Sequence, residues 1–167
     1  LAKADRLILP GVGAFEDAAR KLNDSGMAEF VRQQAASGKP LLGICLGMQL
    51  LFEGSEEGNV QTLGLLPGVV RRLQPAVGIR VPHMGWNKLL ALRQSPLLEG
   101  IAAGASAYFV HSYAAPLSSH TVAAAHHGGL FTAMVHKGLY CGAQFHPERS
   151  AAAGDRLLRN FLAMDFS

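Results

Sequence analysis

Charge is scarce in this chain, with Asp, Glu, Lys and Arg making up only 16% of its 167 residues. The 15 basic side chains exceed the 12 acidic ones by a formal charge of +3. They are scattered, and no aromatic residues interleave them as a nucleic-acid platform requires, so nucleic acid is not an expected partner. Cysteine is scarcer still: two residues cannot make a disulfide framework, and a reducing cytoplasm is the expected setting. No apolar run approaches the roughly 20 residues that span a bilayer. The opening "LAKADRLILPGVGAF" is no signal peptide, because Asp5 and Arg6 interrupt it before an apolar stretch can build. Internal repeats and low-complexity stretches are also missing, which excludes solenoids and linkers.

What is present is apolar and rich in turns: 49% hydrophobic residues, 19 glycines and 8 prolines. That length and composition suit one domain over residues 1–167 with a sizeable core. "DRLILPG" (5–11) reads as a short strand. "FEDAARKLNDSGMAEFVRQQAASG" (15–38) reads as two helical pieces broken near Asn23–Gly26 and capped by Gly38. "KPLLGI" (39–44) is apolar throughout, as in a parallel strand buried on both faces. A helix from Leu46 to Phe52 follows it, and 54–64 reads as loop. Residues 68–92 carry alternating runs with turn signals, which predicts antiparallel strands. Further strands are expected at 107–116, 120–129, 130–138 and 139–148, and a closing helix at 149–166, with Leu157, Leu158, Phe161 and Leu162 on one face. Together these predict a mixed-sheet α/β domain with flanking helices.

"LLGICLGMQLLF" (41–52) breaks its apolar run for Gly43, Cys45, Gly47 and Gln49. A strand, a cysteine and an immediate helix form a nucleophile elbow, with the side chain exposed at the end of the sheet. Glycines two residues to either side relieve the crowding of such a turn. The helix N-terminus beneath Cys45 is expected to stabilise its thiolate. The Leu46 N–H is placed as one oxyanion donor.

A cysteine nucleophile needs a base and a group to orient it. His146 ends the run "LYCGAQF" and is followed by Pro147 and Glu148. Residues i and i+2 of extended backbone share a side, so the Glu148 carboxylate is expected against the His146 ring. Pro147 biases His146 toward that extended conformation. Cys141, in mid-strand, reads as core. His126, His127 and His136 lack zinc-site spacing, so no metal is expected. "LPGVGAF" (9–15) reads either as a plain connection or as a second source of oxyanion donors from Gly11, Val12 and Gly13; the elbow favours the second.

With these residues in place, the chain resembles the class I (triad-type) glutamine amidotransferases, in which G-x-C-x-G-x-Q and a distal H-P-E supply a Cys-His-Glu triad. "PGVGAF", "GICLGMQLLF", "VPHMGWN", "YFVHSYA" and "QFHPERS" are similar, in this order, to the branch of that family serving imidazole glycerol phosphate synthesis. The resemblance implies hydrolysis of glutamine by Cys45, His146 and Glu148 with no cofactor. It implies delivery of ammonia to a (βα)₈-barrel cyclase subunit in a heterodimer. By the same resemblance Gln49, Ser112, Tyr113 and His111 would hold the substrate, while His83, Trp86 and Asn87 would lie near the ammonia exit and the partner. Members of the family begin with a further strand and helix, so the chain is expected to be N-terminally shortened. Two alternatives stay open: an amidotransferase subunit for another acceptor, and a catalytically silent partner-binding subunit.

Overall fold

The computed structural model describes residues 3–166; Leu1, where the expectation of a shortened start begins, lies outside them. The chain opens with strand β1 (Leu7–Gly11), then helices α1 (Phe15–Asp24) and α2 (Met27–Ala36), and strand β2 (Leu41–Cys45). Gly26, with φ at 73°, separates the two helices, where the break between them was expected. Helix α3 (Leu46–Leu50) follows β2 without a gap. Strands β3 (Phe52–Ser55), β4 (Leu66–Arg72), β5 (His83–Lys88) and β6 (Leu90–Ala91) come next. Then come β7 (Ser106–His111), β8 (Tyr113–Ala114), β9 (Thr121–His126), β10 (Leu130–Lys137) and β11 (Tyr140–Ala143). Helix α4 (Ala151–Ala163) closes the chain. Among the described residues no helix is long and apolar enough to cross a membrane.

Six strands form the main sheet in the order β1-β2-β11-β10-β9-β6. β1, β2 and β11 run parallel, while β10, β9 and β6 join antiparallel. This is the mixed sheet expected from the sequence. Neighbouring residues of one strand face opposite sides of a sheet. Leu41 of β2 and Val135 of β10 accordingly enter the core beneath α2 and α3, with Met48, Leu51 and Phe52. Leu42 and Met134 enter the other core, with Phe109, Phe145, Leu157 and Phe161. The sheet is therefore covered on both faces, which explains why "LLGI" has no polar position.

The parallel strands are in register so that they end together. Gly11 is opposite Cys45, and Ala143 is opposite Ile44. The residues just past these ends, 12–13, 46–49 and 144–148, converge on one edge of the sheet, where open α/β sheets bind their ligands.

Several boundaries differ from expectation, each for a tertiary reason. The helix after Cys45 stops at Leu50, because Phe52 is buried and pairs with Leu66 to start β3. Part of the expected 54–64 loop is thus strand. The single strand expected at 107–116 is interrupted at Ser112, where the chain leaves its pairing with β5 and joins β4. The strand expected at 139–148 ends at Ala143, and Pro147–Arg149 form a 3-10 turn. His146 therefore lies beyond the strand, not at its end. That turn also displaces the start of the last helix from 149 to Ala151.

Helix α3 lies so close to β1 that a Cβ on Gly47 would overlap the carbonyl oxygen of Leu9. A Cβ on Gly43 would come within 2.6 Å of the Met48 Cα. The obstacles are backbone atoms, so neither clash is relieved by turning a side chain. Gly47→Ala is expected to lower unfolding stability by about 1–3 kcal/mol or more. Gly54→Ala, with open space at its Cβ, should stay within about 0.5 kcal/mol. Urea unfolding of the two variants is the check; equal midpoints would contradict the close approach.

Candidate active site

Cys45 is the last residue of β2 and the cap of α3, with φ 53° and ψ −112°. A non-glycine residue in that region is strained, and the register of β2 and the packing of α3 hold it there. The side chain lines a cavity of about 520 Å³ together with Leu46, Gln49, His111, Ser112, Tyr113, His146 and Glu148. Val12 and Gly13 also line it, while Gly11 packs one residue back, against Leu46 and Gly47. The cavity wall does not include His83, Trp86 or Asn87. His83 is buried behind it, and Trp86 is 57% exposed.

The His146 backbone is fixed on both sides. Its N–H donates to the Tyr108 carbonyl at 3.0 Å, and its carbonyl accepts from the Ser150 hydroxyl at 2.6 Å. The Ser150 oxygen in turn accepts from the Tyr108 N–H at 2.9 Å. His146 keeps extended backbone (φ −94°, ψ 104°), the effect expected of Pro147. The ring Nδ1 lies 2.8 Å from the Glu148 carboxylate. A carboxylate only accepts, so in the neutral ring the proton is on Nδ1 and Nε2 carries a lone pair. That Nε2 is buried and has no hydrogen-bond partner among the described residues. An orphaned buried acceptor costs free energy and calls for an explanation.

The expectation of a stabilised thiolate at Cys45 is reversed. Burial pushes the thiol up to about 11, outweighing the lowering by the Leu46 N–H; the Glu148 charge adds to the rise, and Gln144 opposes it. The reason is dielectric: burial of the sulfur penalises the anion more than one short helix terminus relieves it. The thiol donates weakly to the Val110 carbonyl at 3.9 Å and accepts from the Gln144 side-chain amide at 3.8 Å. Cys141 is fully buried in the core, as expected, and desolvation pushes its thiol up to about 12.

Two charged residues of the cavity wall, Glu57 and Arg149, and one buried behind the Cys45 sulfur, Gln144, were not singled out in the sequence. Gln144 lies within the quoted "QFHPERS", and its position just before the histidine turn was the available signal. Glu57 comes from the segment expected to be plain loop; burial raises its carboxyl, against a hydrogen bond from the Phe15 backbone. Arg149 stacks on Tyr108, its guanidinium carbon 4.3 Å from the ring centroid. Glu57 and Arg149 give one cavity an acid and a base, a pattern suited to a zwitterion. Gln49 spends both amide hydrogens, on the Tyr113 carbonyl at 2.9 Å and the Gln144 Oε1 at 3.1 Å. Its own carbonyl oxygen is what remains for a ligand. Among the described residues no group of three or more His, Cys, Asp or Glu is arranged to hold a metal ion.

Comparison with known proteins adds to this geometry. The family model for glutamine amidotransferase class-I matches residues 2–164. The chain is 64% identical over 163 residues to the imidazole glycerol phosphate synthase subunit HisH of Xanthomonas euvesicatoria pv. vesicatoria, covering 98% of this chain and 80% of that relative. It is 64% identical over 166 residues to the protein of the same name from Xylella fastidiosa, covering 99% of this chain and 81% of the relative. A crystal structure of a glutamine amidotransferase superposes with a TM-score of 0.70 at 24% identity, covering 95% of this chain and 77% of that one. The structure of PurLQS from Thermotoga maritima gives 0.69 at 23% identity, covering 97% and 80%. At such identities the two structures speak to the fold.

Burial lowers His83, behind the cavity, to about 4 and His111, in its wall, to about 3, with neighbouring histidines adding to both effects and a hydrogen bond to Tyr113 opposing the second. Both rings ionise more readily in the unfolded chain, so their stabilising contribution is whole above the ordinary value of 6.5 and is lost as pH falls toward those lower values. Urea midpoints should therefore fall with pH across that window, and His83→Asn, which cannot titrate, should fall less steeply. An unchanged slope in that variant would contradict a neutral, buried His83.

Proposed function

The chain belongs to the class I glutamine amidotransferases, enzymes with a cysteine nucleophile, and from that membership we propose how its own residues hydrolyse glutamine and where the ammonia goes. The observation that carries the proposal is the orphaned Nε2 of His146, buried on the cavity that Cys45 lines, with the opposite nitrogen held by Glu148.

A thiol raised to about 11 is protonated at neutral pH, so Cys45 needs a base at the moment of attack. His146 Nε2 takes the proton as Sγ adds to the side-chain carboxamide carbon of glutamine. Glu148 holds the tautomer and stabilises the imidazolium. The oxyanion draws on the Leu46 N–H and on backbone N–H groups of the Gly11–Gly13 turn. As the intermediate collapses, the C–N bond breaks, His146 returns the proton to the leaving nitrogen, and ammonia departs. Water then attacks the γ-glutamyl thioester with the same base, releasing glutamate and the Cys45 thiol. Gln49 accepts from the substrate carboxamide. Ser112 and Tyr113 hold the amino-acid end, whose ammonium and carboxylate Glu57 and Arg149 match in charge.

The ammonia goes to a cyclase subunit of (βα)₈ fold, which forms imidazole glycerol phosphate and aminoimidazole carboxamide ribotide in histidine biosynthesis. The relatives' name as subunits of imidazole glycerol phosphate synthase supports this destination. So do the exposed Val12, Met84 and Trp86 (78%, 64% and 57%), which give a partner apolar surface to cover. His83, Trp86 and Asn87 lie on the strand proposed to face that partner in a cytoplasmic heterodimer.

Glutamate release should vanish in Cys45→Ala and persist largely in Cys141→Ala. His146→Ala should cost more in kcat than Glu148→Gln, since an orienting group contributes less than the base itself. Comparable losses at the two cysteines, or the reverse order at His146 and Glu148, would overturn the assignments. Glutamate release by the lone chain should be about 10²–10³ slower than by the cyclase complex with its phosphoribosyl ligand, the usual cost of one missing oxyanion donor. Equal rates would rule out coupling through that donor.

A further inference from the structure

His83 and His111 are buried, face each other, and are not used by the chemistry above. Their Nδ1 and Nε2 atoms lie 3.0 Å apart. Two buried imidazoles in contact are a liability unless their protons are ordered, and here neighbouring groups order them. His111 Nδ1 is 2.9 Å from the Tyr113 carbonyl, which only accepts, so that nitrogen carries the proton. The His111 Nε2 must then accept, and His83 Nδ1 donates to it. His83 Nε2 is left to accept from the Asn87 side-chain amide at 3.2 Å. The Asn87 amide has no freedom to flip: its nitrogen also donates to the His126 carbonyl at 2.8 Å, and its oxygen accepts from the Lys88 N–H at 2.8 Å.

The chain of contacts continues past Tyr113. The carbonyl that accepts from the His111 Nδ1–H also accepts from the Gln49 amide. That amide donates to the oxygen of Gln144, which turns the Gln144 NH₂ toward the Cys45 sulfur. An unconstrained glutamine could equally present its oxygen, which would repel a thiolate. We propose that Asn87, His83 and His111 are positioning residues that, through the Tyr113 carbonyl and Gln49, lock Gln144 with its donor facing Cys45. Strand β5 thus connects an exposed face, Met84 and Trp86, to the nucleophile through the residues that alternate with them, His83 and Asn87. A partner covering Met84 and Trp86 would bear on the same strand whose inner side fixes the donor.

The proposal rests on Cys45 being the reactive thiol, but its test needs neither glutamine nor a partner. The full chain is alkylated with iodoacetamide across pH, and labelling of the Cys45 peptide is followed by mass spectrometry. The groups facing Cys45 and the relay, namely His146, Glu148, Arg149, Glu57 and the His127 ring stacked on His83, are common to every variant. Gln144→Leu should move the Cys45 profile up by about one pH unit, about tenfold less thiolate at a fixed lower pH. His83→Leu should move it in the same direction by less. His83→Asn, which keeps a donor near the position of Nδ1, should bring it back. In the double variant His83→Leu/Gln144→Leu, the profile should match Gln144→Leu alone, because the first change acts through the second residue. Should His83→Leu fail to fold, Asn87→Leu takes its place at the partly exposed end of the relay. Additive shifts, or no shift in the Gln144 or relay variants, would overturn the proposal. A silent glutaminase assay alongside a shifted profile would count against the proposed reaction and leave the relay standing.

Discussion

The peptide at Gly47 lies directly against the Leu9 carbonyl, and the rest of the site depends on that approach. It lets a helix begin at Leu46 with no connecting residues, which forces Cys45 into its strained positive-φ conformation and turns the sulfur out at the end of β2. The same contact seats α3 against β1, so the Gly11–Gly13 turn reaches the cavity beside the thiol. Parallel register does the rest. Strands that end at a common level deliver Cys45 to the same edge as Gln144 and His146, about a hundred residues further along the chain.

Burial then shapes the chemistry. Burial disfavours the charged form of the groups it covers: it raises Cys45 and lowers His111. The Cys45 sulfur consequently rests as a thiol. In the proposed reaction, proton transfer is therefore part of the attack instead of preceding it. Such an arrangement keeps a reactive thiolate from persisting without substrate, and it gives directional hydrogen bonds more weight than they have in water. The amides of Gln49 and Gln144 exert their influence in that setting.

Local features were the legible ones. The apolar "LLGI" run, the glycines around Cys45 and the His146-Pro147-Glu148 triplet each carry their structural reason within a few residues, and each was readable. Phe52 was not, because its own stretch favours helix and only the distant Leu66 draws it into a strand. The thiol ionisation is not legible for a similar reason: the helix terminus is visible in sequence, whereas the desolvation that outweighs it comes from segments far along the chain. His83 and His111, 28 residues apart, show no motif of a pair. Glu57 lay in an ordinary polar loop until the fold brought it to the cavity wall.

The central claim is that Cys45, activated by His146, forms a γ-glutamyl thioester. It is tested most directly by incubating the chain, in its cyclase complex, with a diazoketone analogue of glutamine and mapping the adduct. One label per chain on the Cys45 peptide is expected, blocked by glutamine and absent in His146→Ala on the same timescale. Labelling of Cys141, or labelling of Cys45 at an undiminished rate without His146, would contradict it.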